Sequence, residues 1–192
     1  MIQIEKAKKE DAPLIAPMVM EAMNLECCQW FAGPNHTLDD FERLMTRLIT
    51  MENSQYSYCN TLVAAEYGEG GLRTLVGCCI SYDGARLHSL RKAFVAEAMA
   101  TFGIDYSDME DETTAGELYI DSLCVCAQYR GRGIASQLLE ATVEKGRKLG
   151  LPVGLLVDNG NPKAERLYAR LGFEVMGVAS WGGHKMRRMR KR

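Results

Sequence analysis

The sequence predicts a single domain of the α/β (α+β) class, with a mixed, mostly antiparallel sheet and helices on both faces. Three observations carry this. Segments of strand and helix periodicity follow one another in the order β-α-α-β-β-α-β-α-β-α-β, an alternation that packs as layers. Two β-rich runs, residues 61–67 and 72–82, flank Gly68-Glu69-Gly70-Gly71, a turn that pairs its arms antiparallel. Residues 153–157 are uniformly apolar, as a strand covered on both faces is. A helical crossover from the strand over 118–125 makes these two strands parallel neighbours.

The elements follow in chain order. Residues 2–7 alternate apolar and polar side chains and read as a first strand. Glu10 or Asp11 opens a helix, with Pro13 in its first turn where a missing N–H costs little. Leu14, Ile15, Met18, Val19, Ala22 and Met23 supply its apolar face. Residues 30–35, WFAGPN, read as a loop in which Trp30 and Phe31 either pack or touch a substrate. Thr37 is an N-cap with Asp40 at N3, and Phe41, Leu44, Met45, Leu48 and Ile49 line a second amphipathic helix.

After the hairpin, Leu87, Leu90, Ala93, Phe94, Glu97, Ala98 and Met99 recur at helical spacing, inside a stretch, 84–116, read as an insertion in the 1–192 domain. It ends in an acidic run: Asp105, Asp108, Glu110, Asp111 and Glu112. The run reads either as a solvated loop or as a lid whose field draws a cationic amine. Beyond the strand over 118–125 come a helix from Ile134, the apolar strand, and a helix opened by Asn161-Pro162. A strand after Phe173, a Gly182-Gly183 turn and a last strand close the chain.

Composition bounds the function. The chain has 192 residues, 47% of them hydrophobic, and a net charge of −2, as an ordinary soluble domain does. No apolar run approaches a membrane span, and MIQIEKAKKED lacks a signal peptide's apolar core. The basic end (Lys185, Arg187, Arg188, Arg190, Lys191, Arg192) reads as a solvated strand edge and tail, not a nucleic-acid site, in a slightly acidic chain. The seven cysteines include adjacent pairs and no C-x-x-C, and the three histidines stand far apart. That pattern predicts no metal, and reduced thiols in a cytoplasmic setting.

The chemistry concentrates between Glu117 and Phe173. The strand ends in Leu123-Cys124-Val125, Arg130-Gly131-Arg132-Gly133 follows, and a helix opens at Ile134. Strand, glycine-rich turn and helix N-terminus make a site for a phosphate-bearing ligand, since first-turn N–H groups are unpaired and the helix dipole favours an anion. Ala127 and the absence of Lys-Ser or Lys-Thr exclude a Walker A loop. Gly131-x-Gly133-x-x-Ser136 fits a dinucleotide fingerprint poorly, because Ser136 replaces its third glycine and the turn is too long.

Arg130-Gly131-Arg132-Gly133-Ile134-Ala135, followed by Asn161, Ala164, Leu167, Tyr168, Gly172 and Phe173, resembles the paired motifs of the GNAT superfamily of acetyl-CoA-dependent N-acetyltransferases. They are Q/R-x-x-G-x-G/A and N-x-x-A-x-x-L-Y-x-x-x-G-F, and the likeness covers roughly the last third of the chain closely. It implies a central parallel pair splayed at a cofactor cleft, with acetyl-CoA as cosubstrate and transfer to a primary amine by direct attack in a ternary complex. Cofactor contacts are implied for Leu123, Cys124, Val125, Arg130, Gly131, Arg132, Gly133, Ile134, Ala135, Ser136, Asn161 and Tyr168.

The chemistry needs a neutral amine, a donor for the oxyanion and a proton for the departing sulfur. The Leu123 N–H is the expected donor, and Tyr168 the expected acid. Glu117, Tyr119 and Asp121 share one strand face by alternation. Asp121, closest to Leu123, is the chosen base, against a reading of all three as plain strand residues. Partners are then a small-molecule or peptide amine and, for assembly, a homodimer. A non-catalytic acyl-CoA-binding or regulatory module on the same fold is the alternative.

Overall fold

The computed structural model describes residues 1–192. Its elements are β1 (Ile2–Lys6), α1 (Ala12–Met23), α2 (Leu25–Ala32), α3 (Leu38–Thr50), β2 (Thr61–Tyr67), β3 (Arg73–Asp83), α4 (Leu87–Phe102), β4 (Leu118–Val125), α5 (Ile134–Leu149), β5 (Val153–Asp158), α6 (Pro162–Arg170), β6 (Glu174–Trp181) and β7 (His184–Lys191). The strands form one sheet in the order β1-β2-β3-β4-β5-β7-β6. Every neighbour pair is antiparallel except β4 with β5. The expected fold class, mixed and mostly antiparallel with one central parallel pair, is what the chain adopts.

Helices cover both faces. One core layer draws on α1 to α4, with Ile15, Val19, Phe31, Phe41, Leu44, Leu48 and Phe94 buried together. The other sets Ile134, Leu138 and Leu139 of α5 against Leu118, Ile120, Val153 and Leu155. Thr37 caps α3 as expected: its hydroxyl accepts from the Asp40 N–H at 3.2 Å, and the Thr37 N–H donates to the Asp40 carboxylate at 2.8 Å.

Two expectations fail here for physical reasons. Trp30 and Phe31 are not in a loop, because Asn24 adopts a positive φ of 69° and its side chain accepts from the Cys27 N–H, starting α2. The loop begins only at Gly33. Phe31 is then buried among Phe41, Phe94 and Tyr106, with centroids 6.1, 5.3 and 5.2 Å away, while Trp30 remains 62% exposed. The basic end is not a solvated edge either. β7 lies between β5 and β6, and Arg188 and Arg190 reach the carboxylate of Glu117 at 3.0 and 2.9 Å. Glu117 is fully buried, and a buried carboxylate needs such partners.

The parallel pair opens after three rungs. Leu118 pairs with Val153, Tyr119 with Gly154 and Ile120 with Leu155, and nothing beyond pairs. At that point β4 carries a bulge: Ile120 opposes Ser81 and Ser122 opposes Ile80, leaving Asp121 unpaired. A bulged strand bends, while β5 stays paired with β7 through Asp158. A wedge-shaped opening results, bounded by the last residues of the two strands.

Glu117 sits at the closed end of this wedge. A Cβ on Gly154 would lie 2.3 Å from its Oε2, and the carboxylate, tied to two arginines and to Thr113 at 2.8 Å, has little freedom to withdraw. Gly154→Ala therefore destabilises the fold by about 1–3 kcal/mol, read as a lowered urea midpoint at unchanged slope. An unchanged midpoint would mean the Glu117 network yields freely.

Candidate active site

The open edge of β4 is set by strand alternation. The Cys126 N–H donates to the Val76 carbonyl at 2.9 Å, which turns residue 126 toward β3. In an antiparallel ladder every second residue points the same way, so Cys124 also faces β3 and Leu123 and Val125 face the wedge. The Leu123 N–H is thus available there. Cys124 uses its backbone groups in the ladder, and its thiol, pushed up to about 12 by burial and by Glu21, donates to the Glu21 carboxylate at 3.5 Å.

At the wide end lies the turn into α5. Gly131 and Gly133 both take positive φ, 77° and 75°, and the first backbone bond of the helix runs from the Gln137 N–H to the Gly133 carbonyl. The N–H groups of residues 131–136 find no protein acceptor, and no side chain caps Gly133. A Cβ on either glycine would meet nothing within 4 Å, and residues 131–133 are exposed, so the turn is open on its outer side. Unpaired amides at a helix N-terminus suit a pyrophosphate, and the residues present fit a phosphate-bearing cofactor.

The two arginines of the turn are engaged by the protein. The Arg130 Nε donates to the Val125 carbonyl at 2.9 Å, and its Nη2 pairs with Glu21 of α1. Arg132 stacks over Tyr129 at 5.0 Å and lies 4.0 Å from Glu66. Backbone amides, not free guanidinium groups, are what this turn offers. Gly133→Ala imposes a left-handed φ on a Cβ, a strain of about 1–2 kcal/mol. Relief of that strain swings the amides away, and the CoA Kd rises about tenfold by calorimetry. An unchanged Kd with an intact fold would put the cofactor elsewhere.

Asp121, freed from the ladder by the bulge, faces the α1–α4 side. Its Oδ1 accepts from the Ser122 hydroxyl at 2.8 Å, and its Oδ2 lies 3.4 Å from Gln55 Nε2 and 3.5 Å from the Tyr82 hydroxyl. Burial first, and the charge of Glu112 second, push its carboxyl up to about 7. The other two residues grouped with it diverge: Glu117 is consumed by its arginines, and Tyr119 packs on Tyr82 with centroids 5.8 Å apart. A carboxyl titrating near neutrality can take a proton from an amine.

Tyr168 lies on the opposite side of the wedge. It projects from α6 against the same core layer as Leu123, its ring edge-on to Phe173 at 5.9 Å. Burial pushes its phenol upward, so it keeps its proton. Asn161 caps α6 as expected, its Oδ1 accepting from the Ala164 N–H at 3.1 Å, with Pro162 at the first helical position. Ile134, Ala135 and Ser136 form the first turn of α5. No group of three or more His, Cys, Asp or Glu side chains stands together as a metal site.

The acidic run is neither a free loop nor a free lid. Asp111 and Glu112 are bound by Arg91, which is buried on α4, and Glu112 is itself buried. Asp105, Asp108, Glu110 and Asp111 remain exposed, but Asp111 is paired with Arg91 and Glu112 is buried, so a steering field of five free charges does not exist. Sequence reading missed Gln55, Tyr82 and Arg91. For Arg91 a signal was present: it falls on the stripe of Leu87, Leu90, Phe94 and Ala98, where a charge needs a buried partner.

Comparison with known proteins agrees with this geometry. Over 65 residues the chain is 43% identical to Acetyltransferase Atu2258 of Agrobacterium fabrum, covering 34% of this chain and 47% of that one. Over 68 residues it is 38% identical to an L-methionine sulfoximine/L-methionine sulfone acetyltransferase of Pseudomonas paraeruginosa, covering 35% and 40%. The aligned stretch thus spans less than half of either curated relative. The crystal structure of an N-acetyltransferase from Staphylococcus aureus Mu50 superposes with a TM-score of 0.78 at 25% identity, over 98% of this chain and 99% of that one. No helix is long and apolar enough to cross a membrane. With a family model described as the acetyltransferase (GNAT) family matching residues 21–173, the chain belongs to the GNAT acetyltransferases.

Proposed function

We propose that this protein transfers an acetyl group from acetyl-CoA to the nitrogen of a primary amine, by direct attack within a ternary complex. What supports the reading most is the meeting, at one opening, of an outward Leu123 N–H and a carboxyl, Asp121, titrating at about 7. Bound acetyl-CoA supplies the acetyl group as an activated thioester. The turn at 131–136 holds its phosphates through backbone amides, and the edge offered by the Leu123 backbone and the Val125 N–H aligns its pantetheine arm, with Asn161 and Tyr168 on the other side of the wedge. The Leu123 N–H stabilises negative charge on the carbonyl oxygen, a donor worth about 3 kcal/mol. Asp121 accepts the proton of the amine on the α1–α4 side, and Tyr168 gives its proton to the departing sulfur on the other. Acid and base stand on opposite sides of β4, so neither neutralises the other. A single domain over 1–192, carrying 84–116 as an insertion, and a cytoplasmic setting for seven free thiols complete the reading.

The test is release of free thiol from acetyl-CoA across an amine panel. The Pseudomonas relative is named for L-methionine sulfoximine and L-methionine sulfone, so small primary amines of that kind belong in it beside polyamines and peptides. Amine-dependent thiol release from at least one class is expected. Tight CoA binding with no release from any amine would return the protein to a binding module.

A further inference from the structure

Asp121 shares its hydrogen-bond donors with a second carboxylate. The Tyr82 hydroxyl donates to Glu112 Oε1 at 2.9 Å and stands 3.5 Å from Asp121 Oδ2. Gln55 Nε2 lies 3.2 Å from the same Glu112 oxygen and 3.4 Å from the same Asp121 oxygen. Two donors thus bridge two acids. Only one acid has a cation. Arg91, its side chain 6% exposed, pairs with Glu112 through Nη2. Its Nη1 donates to Asp111 at 2.9 Å and to the Met109 carbonyl at 3.1 Å, its Nη2 also donates to the Glu110 carbonyl at 3.0 Å, and its buried Nε has no partner. Asp121 has no ion-pair partner.

We propose that Glu112 and Arg91 are positioning residues for acetyl transfer: Arg91 locks Glu112 in place through a buried ion pair, and the Tyr82–Gln55 bridge then holds Asp121 beside Glu112 with no cation of its own. The arrangement divides labour between the two acids. Arg91 pairs with Glu112, and the like charge of Glu112 adds to burial in raising Asp121. The other titratable groups facing Asp121 are Tyr56 before β2, Tyr82 and Cys79 on β3 and Tyr119 on β4, all pushed upward by burial and neutral at pH 7. Arg188 and Glu117 lie beyond Tyr119 and are paired with each other. Glu112 is therefore the neighbour that, after burial, sets Asp121 apart from an ordinary aspartate.

This inference rests on Asp121 as the base, and its test separates the two. The pH dependence of kcat/KM is measured for wild type, Glu112→Gln, Arg91→Met, Arg91→Lys and Asp121→Asn, with an acceptor whose amine titrates near about 10 so that its own limb stands apart. Glu112→Gln removes the like charge and leaves Arg91 to act on Asp121, so the neutral limb moves to lower pH by about one unit or more. Arg91→Met leaves two uncompensated carboxylates, so the limb moves to higher pH by a similar amount. Arg91→Lys returns it toward wild type. A variant with a merely structural defect lowers the rate without moving the limb in a charge-determined direction. If Arg91→Met does not fold, Tyr82→Phe removes a shared donor and moves the limb in the same alkaline direction. Shifts of the same sign for Glu112→Gln and its counterpart, or no shift, while Asp121→Asn abolishes the limb, would overturn the proposal and leave the base standing. A limb that survives Asp121→Asn would overturn both.

Discussion

Tyr168→Phe lowers kcat by about a hundredfold or more and leaves the KM for acetyl-CoA little changed. The ring of Tyr168 packs edge-on against Phe173, and phenylalanine keeps that contact. No protein hydrogen bond engages the hydroxyl, so its removal orphans nothing and the fold tolerates the change. What disappears is one proton donor, held in its neutral form by burial. A thiolate leaving without that proton is the costlier departure, and the loss falls on the chemical step. Steady-state kinetics with a saturating amine measures it. Wild-type turnover in the variant would remove Tyr168 from the mechanism.

Asp121→Asn has the second large effect: kcat falls about a hundredfold or more, and the limb of the pH–rate profile near neutrality disappears. The direction follows from the carboxyl being raised to about 7 from 3.8. Below 7 it is protonated and accepts nothing; above 7 it is a carboxylate, and the rate rises through that value before levelling. The same shift makes a stability prediction. The folded state holds a proton that the unfolded state releases at 3.8, so stability from this group is full below 3.8 and is lost as pH rises through 7. Asn carries no such penalty. Asp121→Asn should melt higher than wild type at pH 8 and close to it at pH 4, a gain in stability alongside a loss of activity. Equal melting at both values would show that Asp121 is not held protonated by the fold.

Much of this fold was legible because its signals are local. The glycine hairpin, the Thr37 capping box, the Asn161-Pro162 helix start and the apolar strand at 153–157 each rest on a few adjacent residues, and each stands where its local chemistry puts it. The turn at 130–135 was legible for the same reason. The bulge at Asp121 was not. It arises from a two-against-one mismatch between β3 and β4, and no alternation within 118–125 announces it. The acidic run misled because charge in sequence does not say which carboxylates meet a buried arginine from α4. The basic end misled likewise, since Glu117 recruits Arg188 and Arg190 from more than seventy positions away. α2 escaped because the positive φ of Asn24 that starts it is a backbone fact, and Gly33-Pro34 drew attention to the wrong boundary.

Acetyl transfer by direct attack requires cofactor and amine to be bound together at the β4–β5 opening. Initial rates of thiol release with both substrates varied, alongside mass spectrometry of the acceptor and of the protein, test it most directly. Intersecting reciprocal plots are expected, with one thiol released for each N-acetylated amine and no acetyl group retained on the chain. Parallel plots with an acetylated protein side chain, such as one of the seven thiols, would contradict it.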